Sequence, residues 1–228
     1  MNAEKERKLH ASLYKVDIHT HLGADDKGRE LFSVQDRLKF DRLLGIGHSV
    51  ILPYPTSGAS PDDGRRATAQ AREAARTDPE HFSWFCSVYP DGTFQTRALL
   101  EEYRAQGAVG VGELGFMLPF DDPRMDHLLA CCGDLGLPVL FHLSPMGSGS
   151  YGVIDGPGLP RLEKALASHP NTVLIAHSQP FWYELSTYDR SVPAERLNGF
   201  PFEPVAEEGR AVELLRKYPN LYADLSAL

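Results

Sequence analysis

Short apolar stretches alternate with longer amphipathic stretches along most of the 228-residue chain. Most of the apolar stretches are rich in Val, Ile, Leu or Phe, and Gly, Pro or Asp residues bound them, which is typical of strands buried on both faces of a parallel sheet. The pattern predicts seven strands, at residues 14–18, 49–52, 82–88, 108–113, 138–142, 172–177 and 220–225.

Six amphipathic segments between these strands predict helices. Ser33 and Ser60 occupy helix-capping positions, Pro123 suits a first helical position, and Gly45 and Gly136 suit helix ends. The predicted helices cover residues 33–44, 60–76, 93–106, 122–135, 159–167 and 205–218.

Strands and helices that alternate in this way imply a parallel sheet with right-handed crossovers. Seven such units favour an α/β fold of the (β/α)8 TIM-barrel kind, in which this chain supplies about seven strands of an incomplete or truncated barrel. A doubly wound open sheet is the competing architecture. No shift in composition marks a boundary, so residues 1–228 are expected to form a single barrel domain.

The charge balance narrows the range of partners. A net charge of −8 and a pI near 5.6 disfavour nucleic acid, because affinity for a phosphate backbone needs clustered Lys and Arg. No apolar run reaches the roughly 18 residues of a membrane span, and the N-terminal segment lacks the apolar core of a signal peptide. We therefore expect a cytoplasmic protein that acts on a small-molecule substrate, with neither nucleic acid nor membrane as partner.

The first predicted strand leads into Asp17-Ile18-His19-Thr20-His21. Residues two apart in a strand project to the same face, so the imidazoles of His19 and His21 should converge beyond its carboxyl end. Imidazole suits zinc, iron and related ions, so the pair indicates a divalent-metal site. A short motif of this kind is also found in surface loops, and the remaining chain must decide between the two interpretations.

Three further metal-binding residues end predicted strands, namely Glu113, His142 and His177. A parallel barrel brings the carboxyl ends of its strands around one rim, so these residues should meet His19 and His21 there. Four imidazoles and a carboxylate at one point would be electrostatically unbalanced without one or two cations. Four other histidines, which precede strands or lie in a helix, are expected away from this rim: His48, His81, His127 and His169.

These motifs resemble those of the amidohydrolase superfamily, in particular its amidohydrolase-related and TatD-like metal-dependent hydrolases, over nearly the whole chain. The resemblance implies one or two divalent ions, with zinc expected first and manganese or iron as alternatives. It assigns the ligand roles to His19, His21, Glu113 (as a bridge), His142 and His177. The family also uses an aspartate at the end of an eighth strand, whereas the pattern here predicts seven. Asp224 ends the seventh and is a candidate substitute, with a turn or capping role as the alternative.

The leading functional hypothesis is hydrolysis of an amide, ester or lactone bond in a small molecule by a metal-activated water. His177 and Asp224 are the candidate catalytic residues. Similarity to semialdehyde decarboxylases of the same superfamily leaves open a mononuclear-metal, non-oxidative decarboxylation of a carboxylated ring. A third hypothesis is an inactive, partner-bound or metal-binding barrel fragment, and unpaired sheet edges would then favour a homo-oligomer. The glycine-rich loop 146–158 is expected to act as a lid over the site.

Overall fold

The computed structural model describes residues 13–24, 30–53, 61–189, 191–199, 204–205 and 207–226. Each of the seven predicted strands has a counterpart, and three short strands are added to them. In chain order the strands are β1 (Lys15–His21), β2 (Gly23–Ala24), β3 (Glu30–Phe32), β4 (Ile46–Leu52), β5 (Phe82–Trp84), β6 (Val111–Leu114), β7 (Val139–Pro145), β8 (Val153–Asp155), β9 (Leu174–His177) and β10 (Leu221–Ala223).

The predicted helices are also present, and the predicted caps at Ser33, Gly45 and Gly136 are confirmed, whereas the predicted cap Ser60 lies outside the described residues. Ser33 accepts a hydrogen bond from the backbone of Asp36, and Gly45 and Gly136 end their helices in the left-handed conformation. The helices are α1 (Val34–Leu44), α2 (Pro61–Arg76), α3 (Phe94–Ala105), α4 (Pro123–Leu135), α5 (Pro160–Ser168), α6 (Gln179–Tyr183) and α7 (Arg210–Lys217), with a 3-10 helix at Ala194–Asn198. No helix in the described segments is both long and apolar enough to cross a membrane.

Seven parallel strands follow one another around the sheet in chain order. β1, β4 and β5 pair side by side, as do β6, β7, β9 and β10. A backbone bridge between Cys86 and Val111 joins the two groups. Among the described residues, β1 and β10 share no backbone pairing. The predicted α/β barrel is therefore confirmed as an incomplete one, open between its first and last strands.

Side chains inside the barrel form their own apolar cluster, separate from the larger core between strands and helices. The cluster contains Val50, Leu52, Phe85, Leu140 and Ile175, with Ile18 and Val173 packed against it.

Between β1 and β10 this interior is accessible through a groove of about 490 Å³, which we call the open seam. Ile18 on β1 and Tyr222 on β10 line it, and Tyr222 remains 57% exposed. Side chains that a closed barrel would bury thus face solvent here.

Three local features differ from the pattern expected from the sequence. The last helix begins at Arg210 and not near residue 205, because Gly209 passes so close to Glu184 and Ser186 that the chain there stays extended. The loop 146–158, expected to be a lid, contains β8, whose Val153 and Asp155 are buried and which pairs with β7, so three of its residues are regular structure. His48 lies within β4 and not before it.

Candidate metal centre

A one-residue bulge in β1 positions its two histidines. Asp17 pairs with Ser49 on β4, whereas Thr20 pairs with Ile51, so β1 carries one extra residue between these pairs. His21 pairs with Leu52, whose side chain points into the barrel. Asp17 faces the other way, where its carboxylate accepts a hydrogen bond from Arg37 at 2.6 Å. The first residue of the Asp-x-His-x-His motif therefore lies outside the centre.

Glu113, at the end of β6, lies in the middle of the cluster and is 4% exposed. One carboxylate oxygen, Oε2, lies 3.5 Å from His19 Nε2 and 3.3 Å from His21 Nε2. The other, Oε1, lies 2.7 Å from His142 Nδ1 and 3.7 Å from His177 Nε2. Each oxygen thus faces a different pair of imidazoles.

Strand register brings the other two histidines together. His142 on β7 and His177 on β9 are paired residues of adjacent parallel strands, so their side chains leave the sheet on the same side. Their ring centroids are 5.2 Å apart. The structure therefore brings all five residues predicted as metal ligands to one end of the barrel.

The glycine before Glu113 is required by close packing. Gly112 has φ +135°, and a Cβ atom there would lie closer than 3.0 Å to the carbonyl oxygen of Leu140 on the neighbouring strand. Only glycine combines this conformation with this approach. The Gly-Glu pair in the sequence is thus the local device that places the carboxylate.

Hydrogen bonds fix which nitrogen each β1 histidine presents. His19 donates its Nδ1 hydrogen to Asp224 Oδ2 over 2.7 Å, and His21 donates from Nδ1 to the carbonyl of Leu52 over 3.3 Å. Both rings therefore turn a bare Nε2 inward when neutral, and these two atoms are 3.1 Å apart. Two lone pairs at this distance repel each other unless a cation lies between them.

The pKa values of the clustered residues also indicate that a cation fits between them. Burial disfavours a charge on His19, but hydrogen bonds to Asp224 and Glu113 outweigh it and raise the pKa of His19 to about 9. Burial likewise opposes ionisation of Glu113, yet the hydrogen bond from His142 and the close contacts with His19 and His21 hold its pKa well below the usual range. Bonds from His177 and His19 lower the pKa of Asp224 in the same way. Without a metal, the site retains an extra proton on His19, as expected where a cation fits.

Three overlapping groups of residues could each hold a metal ion, because the ligand atoms within each group lie within 4.8 Å of one another. They are His19 with His21 and Glu113, Glu113 with His142 and His177, and His19 with His177 and Asp224. Imidazole and carboxylate together suit zinc, manganese or iron. The donor set therefore fits one or two divalent ions.

The remaining described histidines bond elsewhere, as the sequence predicted. His81 contacts Asp41 and His169 contacts Asp126, each through Nε2. His48 bonds Ser83, and His127 donates to the backbone of Thr93. None of these four has a described contact with the five clustered residues.

Two residues near the centre were not foreseen. Tyr151 lies over His142 with ring centroids 4.1 Å apart, and Ser226 contacts both Asp224 and His177. Tyr151 carries no periodic signal, because it lies in an irregular glycine-rich loop. Ser226 could have been found, since a serine two residues after an aspartate commonly bonds that carboxylate.

Comparison with known proteins places these observations in a family. The family model for amidohydrolases matches residues 16–228, and no curated protein sequence matches the chain. A 2,6-dihydroxybenzoate decarboxylase from Rhizobium superposes with a TM-score of 0.61 at 18% identity, and the match covers 92% of this chain and 79% of that one.

Two further solved structures carry a bound metal. An amidohydrolase from Burkholderia multivorans with bound zinc has a TM-score of 0.61 at 13% identity, over 92% of this chain and 69% of its own. A dihydroxybenzoic acid decarboxylase from Polaromonas sp. JS666, with bound manganese and the inhibitor 2-nitroresorcinol, has a TM-score of 0.60 at 16% identity, over 92% and 77%. At these identities the likeness concerns the fold. The match of the family model over almost the entire sequence shows that this chain belongs to the amidohydrolase family.

Proposed function

We propose that this protein is a metal-dependent hydrolase that cleaves an amide, ester or lactone bond in a small molecule. The observation that carries the proposal is the position of Glu113. Its two oxygens divide the four imidazoles into two pairs, one from β1 and one from β7 and β9. A carboxylate placed in this way suits a bridge between two cations.

The first cation position would use His19, His21 and Glu113 Oε2, and the second would use Glu113 Oε1, His142 and His177. Zinc is the expected ion, with manganese or iron as alternatives. Bound ions would supply a water of lowered pKa and polarise the bond under attack. The protein's part is to hold His19, His21 and His177 with their Nδ1 hydrogens turned away from the ions, so that little reorganisation of these three rings is needed on binding.

Proton transfer would fall to His177. Its Nε2 faces the centre, while its Nδ1 bonds the Asp224 carboxylate at 3.0 Å. The negative charge of Asp224 would stabilise a positively charged His177 and keep its ring oriented. With an ion only at the position of His19, His21 and Glu113, His177 would keep Nε2 free to pass a proton from the attacking water to the leaving group; with both positions filled, it would serve as a ligand.

Non-oxidative decarboxylation is the second candidate, because two of the structures that share the fold are named as dihydroxybenzoate decarboxylases. In that reaction the bond between a ring carbon and its carboxylate breaks, carbon dioxide leaves, and the ring carbon takes up a proton. His177 would deliver that proton from Nε2. One metal ion would suffice, and the bridging position of Glu113 would then have no role.

Metal content and product analysis separate the two reactions. Two ions per chain, measured by mass spectrometry of the purified protein, together with turnover of an ester, amide and lactone panel, would support hydrolysis. One ion per chain with release of carbon dioxide from a dihydroxybenzoate would overturn it in favour of decarboxylation.

Paired variants test the metal centre itself. His19→Ala combined with His21→Ala should remove at least one ion per chain, because it removes both imidazoles of the first cation position. The double variant His127→Ala with His169→Ala removes the same number of imidazoles away from the centre and should keep wild-type metal content. Unchanged metal content in the folded His19/His21 variant would contradict the proposal.

A further inference from the structure

We infer that Asp224 is a positioning residue that locks two metal-ligand histidines into the form that binds an ion. The inference rests on the metal centre of the proposed function. Asp224 follows β10, its backbone N–H bonds the carbonyl of Ala176 on β9, and its side chain is buried. The sequence suggested a catalytic role for this residue, whereas its contacts place it behind the ligand rings.

Each carboxylate oxygen of Asp224 serves a different histidine. Oδ2 accepts from His19 Nδ1 at 2.7 Å, and Oδ1 accepts from His177 Nδ1 at 3.0 Å. An ionised carboxylate can only accept hydrogen bonds, so both rings must carry hydrogen on Nδ1. When neutral, both then present a bare Nε2 toward Glu113. One side chain thereby sets the tautomer of two ligands.

Ser226 holds the carboxylate in place. Its hydroxyl donates to Asp224 Oδ1 at 2.6 Å, and its backbone N–H reaches the same oxygen at 3.0 Å. With His177 as the third donor, Oδ1 is surrounded and the carboxylate has little freedom to rotate. Asp224 is therefore a fixed support and not a group that swings toward a substrate.

The contact also spans the open seam. His19 belongs to β1 and His177 to β9, and among the described residues no backbone hydrogen bond ties β1 to β10. The bond from His19 to Asp224 crosses this gap at the rim and holds the His19 and His177 rings with centroids 4.1 Å apart. Asp224 thus links these two rings across the seam through a direct hydrogen bond to each.

The test compares Asp224→Asn with Asp126→Asn. The second variant removes the charge of another carboxylate that bonds a histidine, His169, on the surface and away from the centre. An Asn amide at position 224 can accept from only one of the two rings. We expect zinc affinity, measured by competition with a chromophoric chelator, to fall about 10- to 100-fold in Asp224→Asn. Asp126→Asn should match wild type.

Cobalt supplies a readout that loss of activity alone cannot imitate. The visible absorption bands of cobalt-loaded Asp224→Asn should differ in position and intensity from those of wild type, because a misoriented imidazole changes the coordination geometry. Wild-type zinc affinity and an unchanged cobalt spectrum in this variant would overturn the inference and leave the proposed hydrolase intact. Failure of the wild-type protein to bind any divalent ion would overturn the proposed function itself.

A measurement on the wild-type protein avoids any question of folding. Nitrogen-15 NMR of the zinc-loaded protein should show that His19 and His177 both carry hydrogen on Nδ1 and are metal-bound through Nε2. Metal-bound Nδ1 in either ring would overturn the inference.

Discussion

Replacing Gly112 by alanine should disable the metal centre without touching a ligand. A Cβ at this position would lie closer than 3.0 Å to the carbonyl oxygen of Leu140, on the strand that carries His142. Ordinary contact begins at 3.4 Å, so β6 and β7 must separate by at least about 0.4 Å. Metal–ligand distances tolerate only about 0.2 Å. Glu113 is the next residue and moves with the backbone.

Two costs add in this variant. Alanine at φ +135° is strained by roughly 1–3 kcal/mol, and forced separation of packed strands costs about another 1–3 kcal/mol. We therefore expect the free energy of unfolding to fall by about 2–6 kcal/mol. If Glu113 is displaced by several tenths of an ångström, the second cation position should be lost first, because Glu113 Oε1 and His142 Nδ1 are the closest pair in the cluster at 2.7 Å.

Gly136→Ala is the matched control. Gly136 also has a positive φ, +65°, but a Cβ there meets nothing within 4 Å, so only the backbone strain of about 1 kcal/mol applies. Urea unfolding would measure stability, and mass spectrometry would count metal per chain. If Gly112→Ala kept full metal content and lost no more stability than Gly136→Ala, the steric reasoning would be refuted.

Three further predictions concern pH and a second buried charged network. His19 has a pKa of about 9, so zinc must displace a proton from it at lower pH. The apparent zinc affinity should therefore rise by close to tenfold per pH unit up to about pH 9. A flat profile in chelator-buffered titrations would contradict this. In the metal-free protein the same raised pKa stabilises the fold fully below about pH 6.5, and this contribution is lost as pH rises through about 9. Asp41 is fully buried between Arg37, Ser49 and His81. The substitution Asp41→Asn should lower the free energy of unfolding by about 3–5 kcal/mol and leave metal content at the wild-type value. A loss below about 1 kcal/mol in urea unfolding would show that this network is not stabilising.

The features that the sequence predicted well are those set by local chemistry. Caps such as Ser33 and Gly45 and the period of the buried strands depend on neighbouring residues, so helix ends and strand order follow from them. The five clustered residues were found because parallel strands must end at one rim, whatever the loops do.

Other features depend on contacts between distant segments and leave little trace in the sequence. The bulge in β1, the turning away of Asp17 and the position of Asp224 behind two rings arise from partners on β4, α1 and β9. The late start of α7 follows from the close approach of Gly209 to the segment after β9. The hydrophobic periodicity of one segment contains no information on its contacts with a distant segment.

The open seam has a practical consequence. Its two bordering strands carry hydrogen-bonding groups on their outer edges beside the apolar Ile18 and the exposed Tyr222. An extended peptide with alternating apolar side chains could form backbone hydrogen bonds with both edges at once. Its binding there would affect the rim residue His19 on β1. A synthetic peptide bound along this seam should therefore alter the metal affinity of the nearby centre, and that change would report its binding.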